Sequence, residues 1–291
     1  MKTRVEKLKT SEKKIKKEKR KKKSKKMIII LLILIVIGFL YGYLIEPRIL
    51  IVHEKKIITG KIDSSMHGLK IVHFSDLHYG TYYNKKNINK LVKKINATKP
   101  DIIVFTGDLV DQSYTLNSED VKAITKAFNK LDATIDKYAV IGNHDYYLTE
   151  VDNILYDSNF KVLINEYDLV YKEGNNPIMI YGVDDVLLGK PNTEKLKDVD
   201  NIYKIVLVHE PDYIEEINGA DLVLAGHSHN GQVNIPLISK LVLPEGSKDY
   251  YKPYYKVNGT NLYISNGVGE CIFTIRMFTP PSINLFRLIK K

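Results

Sequence analysis

Apolar residues recur along this chain in three rhythms, and the first is unbroken. From Met27 to Ile45, 19 consecutive residues carry no charge, most of them Ile or Leu. At ~1.5 Å rise per helical residue the run spans about 28 Å, the hydrocarbon thickness of a bilayer. A cleaved signal peptide has a shorter apolar stretch, commonly ~7 to 15 residues, and a small-residue exit. Here the run closes as Tyr41-Gly42-Tyr43-Leu44-Ile45. The pattern predicts an uncleaved transmembrane signal anchor over 27–45 with Tyr41 and Tyr43 at the interface. A buried core helix is excluded, because no face is polar and a lysine block precedes the run.

The second and third rhythms alternate. Residues 46–66 read as a connector holding a short strand over 57–62, and from Leu69 onward strand-like and helix-like runs take turns. Strands are expected over 69–74, 101–105, 137–141, 169–172, 178–182, 203–208 and 221–225. Between the first two, Ile88, Leu91, Val92 and Ile95 recur at i, i+3, i+4 and i+7, an amphipathic helix that ends before Pro100. Asn117 with Asp120 three residues on marks a helix start, followed by the stripe Val121, Ile124, Phe128 and Leu131. A further helix is expected over 151–158. The 291 residues therefore fit one large α/β domain with appendages.

Charge separates the appendage from the domain. Residues 1–26 hold 15 Lys and Arg against Glu6, Glu12 and Glu18, a balance of +12, so the formal +10 of the whole chain leaves −2 for the rest. A basic sheath over the fold is excluded. The excess of basic residues ahead of the apolar run favours a cytoplasmic N-terminal tail, which puts the domain outside the cytoplasm in a single-pass arrangement. The tail itself suits anionic lipid headgroups, with nucleic acid the lesser reading. Cys271 stands alone, so no disulfide forms within the chain.

Five polar segments each follow an apolar β-type run: Asp76-Leu77-His78, Gly107-Asp108, Gly142-Asn143-His144-Asp145, His209 and Gly226-His227-Ser228-His229. Functional groups in open α/β sheets collect beyond the carboxyl ends of strands. Singly, each segment has an ordinary reading as a turn, a loop or a helix start. Gly-His-Ser-His is harder to place in a core, since two imidazoles one residue apart are costly there and well placed on a loop for metals. Mixed carboxylates and imidazoles suit Mn, Fe or Zn, and two cations ~3.5 to 4 Å apart can grip both the attacking and the leaving oxygen at phosphorus.

In sequence order these segments resemble the signature of the calcineurin-like metallophosphoesterases: D-x-H, G-D-x-x-D, G-N-H-[DE], a lone His and G-H-x-H, over roughly residues 69–288. The resemblance implies a four-layer α/β/β/α sandwich over 67–291, here behind one transmembrane helix. It implies that Asp76, His78, Asp108 and His229 hold one divalent metal ion and that Asp108, Asn143, His209 and His227 hold a second, with Asp108 shared. A hydroxide bridging the metals would be the nucleophile, His144 would protonate the leaving oxygen, and Asp111 would orient His144. The activity so implied is a membrane-tethered phosphohydrolase cleaving a phosphodiester, phosphomonoester or pyrophosphate bond of a small-molecule, lipid or cell-envelope substrate. A catalytically silent membrane-attached platform is the alternative from another class.

Other residues are read more plainly. His73 falls inside a strand and His53 and His67 in the connector, without roles; Asp145 reads either as support for the His144 loop or as an exposed turn. Arg276 is either a phosphate clamp or a surface arginine, and Tyr250, Tyr251, Tyr254 and Tyr255, among Lys248, Lys252 and Lys256, form either a lipid-facing or a solvated loop. Gly182-Val183-Asp184-Asp185, Gly226 through Gln232, and Asn266-Gly267-Val268-Gly269 through Pro281 resemble a membrane-attached branch that includes UDP-2,3-diacylglucosamine pyrophosphatase-like proteins. Asn230, Ile275 and Ser282 depart from that pattern. An extracytoplasmic domain also argues against a UDP-linked substrate, which belongs to the cytoplasm.

Overall fold

The computed structural model describes residues 4–80, 82–174, 176–235, 239–241, 243–271 and 274–291. The chain divides into two compact units, Met1–Ile45 and Glu46–Lys291. The first is a single helix, α1 (Arg4–Leu44), in which the basic tail and the apolar run are continuous. Its apolar side chains from Met27 to Ile45 are exposed, and the helix is long and apolar enough to cross a membrane.

The second unit is built on two six-stranded mixed sheets. The first contains β1 (Ile51–Thr59), β2 (Lys70–Phe74), β3 (Ile102–Thr106), β4 (Asp136–Val140) and the short β5 (Lys161–Val162). The second contains β6 (Glu166–Val170), β7 (Ile178–Gly182), β8 (Tyr203–Val208), β9 (Leu222–Ala225), β10 (Tyr254–Val257) and β11 (Thr260–Ile264). The last strand, β12 (Ser282–Lys290), returns to the first sheet, parallel to β1 with Ile51 opposite Ser282 and antiparallel to β2. Residues 46–66, read as a connector, thus supply an edge strand beginning at Ile51, and His53 lies within it.

Side-chain alternation divides the interior. Ile71, Ile102, Val104, Tyr138 and Val140 meet Ile180, Ile205, Leu207, Leu222 and Leu224 between the sheets. Val72, Phe74, Ile103, Phe105 and Ala139 point the other way, onto α2 (Lys85–Asn96), α3 (Ser118–Phe128) and α4 (Thr149–Asp157). Both faces of these strands are covered, which is why they read as continuous apolar runs. In α2 the stripe Ile88, Leu91, Val92 and Ile95 is buried, each residue contributing ~1.5 to 3 kcal/mol, and Asn84 caps the start through a box with Asn87. Asn117 and Asp120 form the same box on α3. The outer face of the second sheet packs instead on 3₁₀ turns, Glu194–Lys197 and Pro211–Glu216, so among the described residues the fourth layer is not α-helical.

β2, β3 and β4 run parallel, as do β7, β8, β9 and β11. Parallel strands send their carboxyl ends to one rim, and the five polar segments emerge there.

Candidate metal centre

Backbone geometry singles out this rim before any side chain is considered. Asp76, His78, Asp108, His227 and His229 all have positive φ, between 45° and 64°. Asp and His tolerate that region better than bulky residues do, but each still needs surroundings that hold it. The Asp76 amide donates to the Gly107 carbonyl at 2.9 Å, and those of Leu77 and His78 to the Asp108 carbonyl at 2.8 and 3.2 Å. Asp145 is buried and accepts from the amides of Leu109 at 2.8 Å and Val110 at 3.2 Å, clamping the 142–145 segment to the 107–110 segment. That favours its supporting reading over an exposed turn. Gly142 lies where a Cβ would collide with the Asp108 carboxylate and approach the Asp108 nitrogen to 2.6 Å, so no larger residue fits.

The expected metal ligands converge in two groups. Donor atoms of Asp76, His78 and His229 lie within 4.8 Å of one another, as do those of Asp108, His209 and His227. Asp108 Oδ2 is 3.3 Å from His209 Nε2 and 3.7 Å from His78 Nε2, which makes it the side chain common to both. The orientation of the rings is specified from behind. His209 Nδ1 donates to the Thr106 carbonyl at 2.6 Å and His227 Nε2 to the Glu245 carbonyl at 2.7 Å. Each ring therefore turns its other nitrogen inward, and these two nitrogens, His209 Nε2 and His227 Nδ1, stand 3.2 Å apart. His78 Nε2 and His229 Nε2 face each other at 3.0 Å. Asn143 Oδ1 is buried and has no hydrogen-bond partner. A buried carbonyl oxygen without a partner costs energy unless a cation meets it, and carboxylate and imidazole donor atoms gathered this closely suit divalent ions, so the donor set fits metal ions.

Protonation follows the same geometry. Burial holds His78 at about 4 and His227 at about 3; burial and then the charge of His78 hold His229 well below the usual histidine range. These three rings are neutral, as ligation requires; burial would lower His209 as well, but the Asp108 carboxylate outweighs it and holds His209 well above the usual histidine range, so a metal there would displace its inward proton. Burial would raise Asp108, but His209, His144 and His78 outweigh it and hold its carboxyl well below the ordinary range. Asp76 is pushed up to about 7, chiefly by burial and further by the charge of Asp108.

His144 and Asp111 lie beside the two clusters. The His144 ring packs edge-on against His78 with centroids 4.8 Å apart, and its amide donates to Asp108 Oδ1 at 3.0 Å. Its Nδ1 accepts from the Gln112 amide at 3.3 Å. Asp111, expected to orient this ring, instead accepts from the amide and hydroxyl of Ser113. The backbone turns at Asp111 to form a short loop, and that loop offers the Gln112 N–H where the carboxylate was expected. Cys271, given no role from sequence, brings its sulfur within 4.8 Å of ring nitrogens of His78 and His144.

Arg276 is neither a clamp nor a surface residue. Its side chain is fully buried, donating to the carbonyls of Asn266 and Thr279 at 2.8 Å, to Gly267 at 3.3 Å and to Gly269, with His229 Nδ1 at 3.4 Å. It supports the loop after β11 that backs Asp76 and His229. The tyrosine loop is likewise tied down: Tyr250 donates to Glu215, and the Tyr255 hydroxyl accepts from the amides of Tyr251 and Lys252 at 3.2 and 3.1 Å. Only Tyr254 of the four is exposed. Asp184 and Asp185 accept backbone amides of their own loop and build a turn. Asn230, where the branch resemblance leads one to expect glycine, has φ 53°, a conformation asparagine tolerates.

The chain as a whole is similar to known proteins. Residues 69–231 match the family described as Calcineurin-like phosphoesterase. The chain is 32% identical to the uncharacterized metallophosphoesterase YkuE of Bacillus subtilis, over 86% of this chain and 90% of that protein. It is 26% identical to phosphodiesterase YaeI of Escherichia coli, over 87% and 93% respectively. A zebrafish (Danio rerio) transmembrane protein with a metallophosphoesterase domain is 25% identical over 75% of this chain and 52% of its own length. With its motif residues gathered at one rim, the chain belongs to the calcineurin-like phosphoesterases, metal-dependent hydrolases of phosphoester bonds.

Proposed function

We propose that the protein is a membrane-tethered phosphohydrolase using two divalent cations, one held by Asp76, His78, Asp108 and His229 and the other by Asp108, Asn143, His209 and His227. The observation that carries this is the pair of three-residue clusters joined through Asp108, with imidazole nitrogens facing each other in both. When bound, two cations supply Lewis acidity toward phosphoryl oxygens and a water acidified to near neutral pH.

The chain's own contribution lies at His144. Because Nδ1 accepts the Gln112 amide hydrogen, the ring proton resides on Nε2. That proton is available to a leaving oxygen, a transfer worth ~10² to 10⁴-fold in rate. A phosphodiester or pyrophosphate of a lipid or cell-envelope compound is the substrate class that suits an extracytoplasmic domain, and similarity to the phosphodiesterase YaeI of E. coli favours the diester. A cytoplasmic domain would restore the UDP-diacylglucosamine-type pyrophosphatase as the reading; protease accessibility in intact cells separates the two.

The purified protein supplied with Mn or Zn should hydrolyse bis-p-nitrophenyl phosphate, and Asp108→Ala should abolish turnover. Undiminished hydrolysis by Asp108→Ala would overturn the proposal, and absence of bound transition metal would favour the silent platform.

A further inference from the structure

Between α2 and the residues that follow the apolar run lies a groove of about 730 Å³. One wall is a basic stripe, Lys86, Lys90 and Lys93, at i, i+4 and i+7 on the solvent side of α2. The opposite wall brings Arg48, and the Lys90 ammonium crosses to the Arg48 carbonyl at 2.6 Å. Leu50 and Val268 form part of an apolar floor. None of the described residues lining the groove is acidic, although Glu270 lies close enough to Arg48 to feel its charge. Around it, large apolar side chains face solvent: Ile49 at 38%, Tyr82 at 62% and Phe278 at 70% exposure. Phe278 belongs to this edge because the neighbouring Thr279 amide donates to Glu46 Oε1 at 2.6 Å.

We propose that this groove binds the headgroup of an anionic phospholipid, so that the hydrolase unit docks on the bilayer through a face separate from its metal centre. The first argument is chemical complementarity: four cations converge on an apolar floor, with aromatic and aliphatic side chains at the edge that suit the headgroup–acyl boundary. The second is covalent. Arg48 is the third residue after the apolar run ends at Ile45, and three peptide units reach about 11 Å at most. Whatever orientation the hydrolase unit takes, that wall of the groove stays at the membrane surface. The inference requires that α1 remain attached, which the mass of the membrane-extracted protein reports separately, and it does not depend on turnover.

The test uses the full chain in nanodiscs, with lysine acylation rates read by mass spectrometry. In discs containing phosphatidylglycerol, Lys86, Lys90 and Lys93 should label about fivefold more slowly than in phosphatidylcholine discs, while Lys122 and Lys126 on α3 label equally in both. Equal labelling of the three groove lysines in the two discs overturns the proposal. In detergent, equal protection by inorganic phosphate would assign the groove to free anions and overturn the lipid source. The variant K86Q/K93Q should lose the protection at Lys90 yet hydrolyse bis-p-nitrophenyl phosphate at the unaltered rate. Persistent protection of Lys90 in that variant also counts against the groove.

Discussion

Replacing Arg276 with Met removes a buried cation without leaving a large cavity, so the loss reports what the guanidinium holds. Four carbonyls accept from it, and that of Gly267 keeps a second donor, the Ser282 amide at 3.3 Å. The carbonyls of Asn266, Gly269 and Thr279 would then have to find water or go unpaired, at ~1 to 3 kcal/mol each. Relief of the buried charge offsets part of this, and a net loss of about 3 to 5 kcal/mol is expected, a large share of the ~5 to 15 kcal/mol typical of a whole domain. The damage should reach the metals too. Gly267 and Gly269 pack directly behind His229 and Leu77, and loss of groups that position a ligand costs ~10 to 100-fold in affinity. Urea denaturation of the detergent-solubilised protein measures the first effect, and metal content after dialysis against a weak chelator the second. A variant less than about 1 kcal/mol weaker with wild-type metal content would show that Arg276 does not organise this loop.

Three further outcomes follow from the same geometry. Gly142→Ala should weaken metal binding by at least about 10-fold in both clusters, because its Cβ displaces the shared Asp108; unaltered titration curves would contradict the placement. His73, fully buried between the sheets with Nε2 2.8 Å from Thr106 Oγ1, is held at about 3 by burial, against an ordinary 6.5. Its folded-state value is lowered, so the unfolded chain binds the proton more readily: the stabilisation is complete above pH 6.5 and is lost as pH falls from there toward about 3, costing ~2 kcal/mol at about pH 5. His73→Gln should flatten that part of the stability profile, and an unchanged slope between neutral pH and about pH 5 would refute it. His144→Asn should cut turnover of bis-p-nitrophenyl phosphate about 10²-fold or more while leaving metal content intact, a split that loss of a metal ligand would not give.

What the sequence makes legible is what local physics determines. The stripes of α2 and α3 and the apolar runs of β2, β3, β4, β8 and β9 carry their periods openly, and the residues predicted as metal ligands converge because each lies just past such a run. β12 carries no comparable mark. Ser282–Lys290 is an ordinary apolar segment whose place between β1 and β2 depends on a partner more than 200 residues away. Arg276 was illegible for a related reason: a lone arginine in a loop gives no hint that four carbonyls will surround it. Asp111 misled because three-residue spacing from Asp108 constrains where a carboxylate can reach, whereas the turn through Ser113 decides where it goes.

The left-handed backbone at five of the proposed ligand positions shows why the site could be read from motifs at all. A loop leaving a strand in ordinary conformation would scatter its side chains; a positive φ at Asp76, His78, Asp108, His227 and His229 folds each segment back on its own strand end. Such residues are tolerated where the surroundings over-determine them, and here the Gly107 and Asp108 carbonyls, the Asp145 carboxylate and the Arg276-held loop do so. The small residues beside them are required on the same account, since a Cβ at Gly142 meets Asp108 and one at Gly269 meets the Leu77 carbonyl. Short motifs such as Gly-Asn-His and Gly-His-Ser-His therefore record two needs together, a donor atom and a backbone bend that brings it back to the rim. His73, inside a strand with neither a bend nor a glycine neighbour, stays in the core with Thr106.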